Sequence, residues 1–199
     1  MNIRKKDKKN QKGFSLPELI VVLLVIAILV VLALPQVISS RRLFRFAGLQ
    51  RQVASSLVDA RQEAMTQRTP ITFRYDNQKK DIIIYGGSFG AIGDSKNRKV
   101  ELTDSGLEQS DVVYNRPSGA PTSALSDTSN ITPLTAGKID ITFQSDGSVI
   151  DAANNPVNNA LFFYHKKYTT DTAFAISILG AGGRVKTWRY SKGVKAYVE

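Results

Sequence analysis

Side chains able to do chemistry are few in this chain and widely spaced. Its 199 residues include no cysteine and a single histidine, His165. Thiol nucleophiles, disulfides and thiolate metal sites are therefore excluded. His165 lies in Tyr164-His165-Lys166-Lys167, beside two cations that disfavour its protonation, and it reads as a surface histidine at a strand end rather than a general base. Ser145-Asp146-Gly147-Ser148 has the residue types of a catalytic element but is better explained as a hairpin turn. Gly86-Gly87-Ser88-Phe89-Gly90 lacks the Gly-Lys-Ser/Thr ending of a phosphate loop, and the acids follow no EF-hand or histidine-pair spacing. No catalytic residue, cofactor or metal is indicated, and the chain is not expected to be an enzyme.

Two groups of residues remain. The first is Glu18, the only charge in residues 14–34. At about 1.5 Å per helical residue this stretch spans roughly 31 Å, the thickness of a bilayer core. A carboxylate in hydrocarbon costs several kcal/mol (about 3 on insertion scales) and is rarely kept without a role. Glu18 either has a role that offsets this cost or is a headgroup-level acid close to the positive end of its helix.

The second group is the basic tail, in which Gly183-Arg184-Val185-Lys186-Thr187-Trp188-Arg189-Tyr190 reads as a strand. By period two, Arg184, Lys186 and Trp188 share one face, with Val185, Thr187 and Arg189 on the other. Cations beside an exposed aromatic can neutralise phosphates and stack on bases. The competing reading is a basic edge strand that discourages sheet-to-sheet aggregation, with Trp188 in the core.

The formal charge of +10 is unevenly placed. Ahead of residue 14, Arg4, Lys5, Lys6, Lys8, Lys9 and Lys12 stand against Asp7, so half of the net charge lies in a 13-residue leader. A basic segment beside an apolar helix marks a cytoplasmic end and sends the rest of the chain outward. A secretory signal would have a shorter apolar core with a small-residue cleavage site behind it, whereas Leu34-Pro35-Gln36 offers no such site.

These groups need elements to hold them. Pro35 kinks the first helix without ending it, since the helical pattern resumes at Val37. Phe46, Leu49, Val53, Leu57, Ala60 and Ala64 then recur at spacings of three and four, an apolar stripe that must bury against a following domain. Thr69-Pro70 marks the end of that helix.

After Pro70 the period becomes two. Ile71-Thr72-Phe73-Arg74-Tyr75 and Asp81-Ile82-Ile83-Ile84-Tyr85 predict a hairpin around residues 77–80. Residues 86–97 read as loop, with short strands at Lys99-Val100-Glu101-Leu102 and Val112-Val113-Tyr114. Residues 116–137, rich in Pro, Ser, Thr, Ala and Gly, read as a long surface loop, either a variable or binding region or a tolerated insertion. Further strands are expected at residues 138–143, 149–150, 160–164, 172–179 and 184–190.

Around residues 12–19 the sequence resembles the class III signal of type IV pilins and type II secretion pseudopilins: a basic leader, Gly13, Phe14, and Glu18 as fifth residue after the glycine. The resemblance implies cleavage between Gly13 and Phe14 by a membrane prepilin peptidase, N-methylation at Phe14, and pairing of Glu18 with Phe14 of a neighbouring subunit. It narrows to the GspH/FimT group of minor pseudopilins and minor pilins at Asp59-Ala60-Arg61-Gln62-Glu63-Ala64, at Ile141-Thr142-Phe143-Gln144-Ser145-Asp146-Gly147-Ser148, and at Ile176-Ser177-Ile178-Leu179 followed by Gly183-Arg184-Val185-Lys186.

The implied fold is α+β, a long N-terminal helix packed on an antiparallel sheet domain. The implied division is leader 1–13, membrane half of the helix 14–35, amphipathic half 36–69 and β-rich domain 70–199. The implied role is that of a structural subunit at or near the tip of a type II secretion pseudopilus or a type IV pilus, anchored in the bacterial inner membrane. Implied partners are other pilins, the peptidase, an inner-membrane assembly platform with its ATPase, and membrane lipid. Some FimT-like minor pilins bind double-stranded DNA through a Gly-Arg-x-Arg pattern, which Gly183-Arg184-Val185-Lys186 resembles with Lys in the last place. Arg184, Lys186, Trp188 and Arg189 are the DNA-binding candidates on that reading.

Overall fold

The structure, a computed structural model, describes residues 15–86, 93–102, 107–151 and 153–199, with side chains described outside 34–40, 42 and 93–97. Gly13, Phe14 and the leader lie outside the described residues, as do residues 87–92 of the expected loop. Two units form, Met1–Arg41 and Arg42–Glu199.

Helix α1 is assigned over Leu16–Gln67. From Leu19 to Ala33 it is apolar all round, and its described side chains from Leu16 to Ala33 are exposed. Such a helix has no surface fit for water. Helical assignment continues through Pro35, so the proline does not end the element.

In the second unit, α1 is amphipathic. Phe46, Leu49, Val53, Leu57, Ala60 and Ala64 are all buried, which is the stripe that the three-and-four spacing predicts. The helix stops at Gln67, followed by Arg68 in the left-handed region at φ +52 and then Pro70.

Among the described residues, nine strands follow: β1 Ile71–Asp76, β2 Asp81–Gly86, β3 Gly93–Glu101, β4 Val112–Tyr114, β5 Lys138–Phe143, β6 Asn159–His165, β7 Phe174–Ile178, β8 Val185–Ser191 and β9 Ala196–Val198. A four-stranded sheet runs β3-β2-β1-β5 and a five-stranded sheet runs β4-β6-β7-β8-β9. Every pairing between these strands is antiparallel.

One core joins α1 to both sheets. Phe73, Tyr75, Ile82 and Ile141 of the first sheet and Leu161, Phe163, Phe174 and Ile176 of the second bury together with the helix stripe. Tyr75 meets Phe163 edge to face, with ring centroids 5.2 Å apart, a favourable aromatic geometry that ties the two sheets together. This is an α+β arrangement of an N-terminal helix on antiparallel sheet.

Four sequence expectations differ from the structure. Residues 93–97 belong to strand β3, not to a loop, because backbone pairing with β2 extends to Gly86↔Gly93 across a bulge. Their polar run, Gly93-Asp94-Ser95-Lys96-Asn97, has no alternation to betray it. Val149 and Ile150 form isolated bridges, to Phe143 and Pro156, rather than a strand. Strand β9 has no counterpart among the expected strands, since three residues after a turn make too short a pattern. His165 is not a surface residue but is buried at the end of β6, its ring against Phe46 and Tyr168.

Candidate functional site

At the N-terminal end, Ser15 supplies the first acceptor of α1, taking the amide of Leu19 at 3.2 Å. Pro17 falls in the opening turn, where its missing N–H leaves no bond unmade. Glu18 is exposed in the same turn, close to the positive end of the helix dipole. The 18 residues Leu16–Ala33, with a mean hydropathy of 3.1, are long and apolar enough to cross a membrane. Leu16 is 75% exposed and Leu32 67%. Apolar surface on this scale needs a hydrocarbon or protein surround.

The far end of α1 holds a different junction. The turn after β5 is built by Asp146, whose carboxylate accepts the backbone N–H of Ser148 at 2.9 Å and its hydroxyl at 2.6 Å. The Ser148 hydroxyl and then its backbone N–H hold this carboxyl below the ordinary aspartate value. Gly147 in that turn has φ +81 and Gly183 in the β7–β8 turn has φ +58. The positions a Cβ would take on Gly147 and Gly183 lie 3.1 and 3.0 Å from Nε of Arg61 on the helix.

Arg61 Nε is buried there and donates no hydrogen bond among the described residues. A further bond, Val149 N–H to Gly180 O at 2.8 Å, links the two turns. Three separate stretches of the sequence, around Arg61, Gly147 and Gly183, thus meet at one point.

The basic tail follows the second sequence reading more closely than the first. Strand β8 pairs with β7 over Val185–Arg189 but with β9 only over Arg189–Ser191, so among the described residues its Val185–Trp188 half keeps an open edge, and Trp188 is in the core as that reading expects. Trp188 is 3% exposed, with Nε1 donating to Ser177 Oγ at 2.8 Å. A ring so placed has no face free for a stacked base.

Lys186 Nζ lies 2.8 Å from Glu199 Oε2 and 5.3 Å from the Trp188 ring centre. Its charge is therefore already matched within the chain. Arg184 and Arg189 are exposed. The four candidates do not form one patch, since Arg189 points to the opposite face of β8 and lines a cavity of about 140 Å³ with Leu43, Phe46 and Phe174.

His165 is fully used within the fold. Its Nδ1 accepts the Lys167 amide at 3.0 Å, which places any ring proton on Nε2, 3.5 Å from Asp111 Oδ2. This is a strand-end brace in an aromatic pocket. Nothing in the pattern Tyr-His-Lys-Lys distinguishes it from a surface position, because its burial comes from Phe46, over a hundred residues away.

Comparison with known proteins bears on the N-terminal half of α1. Residues 8–34 match the prokaryotic N-terminal methylation motif, whose stretch Leu16–Ala33 is the exposed apolar helix. The N-terminal segment is therefore prepilin-like. No match to a curated protein was found. Among solved structures, the chain is similar to the type IV minor pilin FimU of Pseudomonas aeruginosa in two crystal forms. One has 18% identity, a TM-score of 0.47, and covers 71% of this chain and 86% of that one. The other has 19% identity, a TM-score of 0.46, and covers 71% and 90%.

Proposed function

We propose that this pilin-like chain is a minor pilin or minor pseudopilin, a structural subunit of a type IV pilus or of a type II secretion pseudopilus. The methylation motif at residues 8–34, set on an exposed apolar helix, carries this reading. Prepilin peptidase cuts between Gly13 and Phe14, and the new amine of Phe14 is methylated. The apolar helix first resides in the inner membrane, with the basic leader cytoplasmic and the domain from Arg42 onward outside. Assembly with other pilins then moves the helix from lipid into a protein surround, driven by an inner-membrane platform and its ATPase. The position is at or near the filament tip.

Glu18 pairs with the Phe14 amine of a neighbouring subunit in this scheme. The charge pair replaces headgroup solvation as the helix leaves the membrane. The test is Glu18→Val in cells producing the peptidase and the other pilins. The account expects normal cleavage and membrane insertion with lost recovery in sheared filaments, and recovery equal to the unaltered chain would overturn the assembly role.

A second reading, capture of double-stranded DNA, draws support from the exposure of Arg184. It differs from the sequence expectation in resting on Arg184 and not on Trp188, Lys186 or Arg189. Binding measured across a salt series decides it, since phosphate contacts give a linear fall of log affinity with log salt. Loss of binding in Arg184→Ala supports it, and binding unchanged in that variant rejects the site.

A further inference from the structure

The five-stranded sheet has a second face, turned away from α1, and residues of the long irregular segment after β4 cover it. Ala160, Phe162, Ala175 and Trp188 form a small apolar cluster on that face, closed by Leu125. The main core lies on the other side of the same strands. From this separation we infer that residues 117–130 form a latched strap, able to lift from the sheet as a unit while the helix, both sheets and the main core stay folded.

The strap is held at its ends, at a central carboxylate, and by two peripheral bonds, Tyr190 hydroxyl to Gly119 O at 3.4 Å and Asn158 Nδ2 to Thr128 Oγ1 at 3.2 Å. At its start, the Arg116 guanidinium stacks 4.4 Å from the Phe162 ring centre and donates to Pro121 O and Asn130 Oδ1, both at 2.7 Å. At its end, Thr132 joins the sheet through its amide to Ala160 O at 2.9 Å, and its carbonyl accepts the Tyr114 hydroxyl at 2.6 Å. Between these anchors the central fastening is Asp127. One carboxylate oxygen accepts the hydroxyl of Ser177, and the other takes the Ser129 amide at 3.0 Å. Ser177 in turn accepts Trp188 Nε1.

Few large apolar side chains hold the strap down. Leu125 is buried, whereas Thr122, Ser123, Ala124 and Ser126 are exposed. A segment held by one large buried apolar side chain, Leu125, and otherwise by side-chain hydrogen bonds opens at lower free energy than the sheet it covers, whose ladder bonds do not involve it. The apolar cluster beneath, rimmed by Arg116 and Lys186, becomes accessible on opening. The latch thus controls whether the second sheet face is a surface.

Trp188 is the only tryptophan in the chain, so its emission reports on this face alone. The test uses the full chain in detergent with Asp127→Ala, a change that removes the latch without touching the tryptophan directly. The expected result is a red shift of emission and about a two-fold rise in acrylamide quenching, with far-UV circular dichroism unchanged. Emission and quenching equal to those of the unaltered chain would overturn the latch. Hydrogen exchange of the unaltered chain decides the point independently of whether the variant folds. The amides of Leu125 and Thr128 should exchange at least about tenfold faster than those of β6 and β7, and equal protection would overturn the strap as a separate unit.

Discussion

The carbonyl oxygen of Gly147 occupies the space that a side chain on Gly183 would need. A Cβ on Gly183 would overlap that oxygen and crowd Arg61, and the residue also sits at φ +58. Two turns from different sheets and the end of the long helix therefore approach to backbone contact through the absence of one methyl group. Gly183→Ala should destabilise the chain by about 2–4 kcal/mol, the range of strained and overpacked positions. Gly182→Ala, with open space around its Cβ position, should cost under about 1 kcal/mol. Denaturant unfolding of the two variants compares them directly, and equal midpoints would contradict the close approach.

The pair Arg74 and Asp140 bridges β1 and β5 on the side of the first sheet turned from the core. Both guanidinium donors lie 2.6 Å from the carboxylate oxygens. The hydrogen bonds that Arg74 donates to Asp140 raise its pKa further above an already high value, against the opposing effect of burial. Asp140→Ala should cost about 2–3 kcal/mol, because it strands a largely buried cation. The double variant Arg74→Met, Asp140→Leu should recover part of that loss, as measured by thermal unfolding.

Asp76 sets an acid limit to stability. Burial alone would raise its pKa, but the amides of Lys79 and Gln78, at 3.1 and 2.9 Å, and the charge of Lys138 outweigh that and leave it below the ordinary 3.8. A carboxyl with a folded pKa below its unfolded one stabilises the fold above the unfolded value. That contribution fades as pH falls through 3.8 toward the folded pKa. Asp76→Asn should therefore lower stability at pH 7 by about 1–2 kcal/mol and make it less steep in the acid range. Unfolding midpoints between neutral and acid pH test this, and parallel curves for the two proteins would contradict it.

Trp188 belongs to the interior. Trp188→Ala should cost about 3–5 kcal/mol, and loss of any binding in that variant would reflect damage to the sheet. In the unaltered chain, tryptophan emission should keep its wavelength when duplex DNA is added at low salt. A shift or stacking-type quenching of that emission would place the ring at an interface instead.

What the sequence discloses follows from the range of the forces involved. The stripe from Phe46 to Ala64 and the alternation in β1 and β5 are local patterns, and the structure buries those side chains. Strand β3 is held by partners on β2 rather than by its own composition, so residues 93–97 carry no sign of it. Trp188 shows the limit most clearly. Period two correctly puts it on the face of Lys186, but nothing in its own stretch of sequence says that Leu125 covers that face. The junction of Arg61, Gly147 and Gly183 is likewise visible in sequence only as three separate stretches, because their contact depends on where two turns are carried by two sheets.

The central claim is that the apolar helix belongs to a processed pilin-like subunit, and the N-terminus of the protein recovered from cells tests it most directly. Intact mass and N-terminal sequencing of the full-length product, expressed with prepilin peptidase, should show a chain that begins at Phe14 with a methylated amine. A product that still begins at Met1 in peptidase-positive cells, or one cut behind the apolar helix near Pro35, would contradict the account.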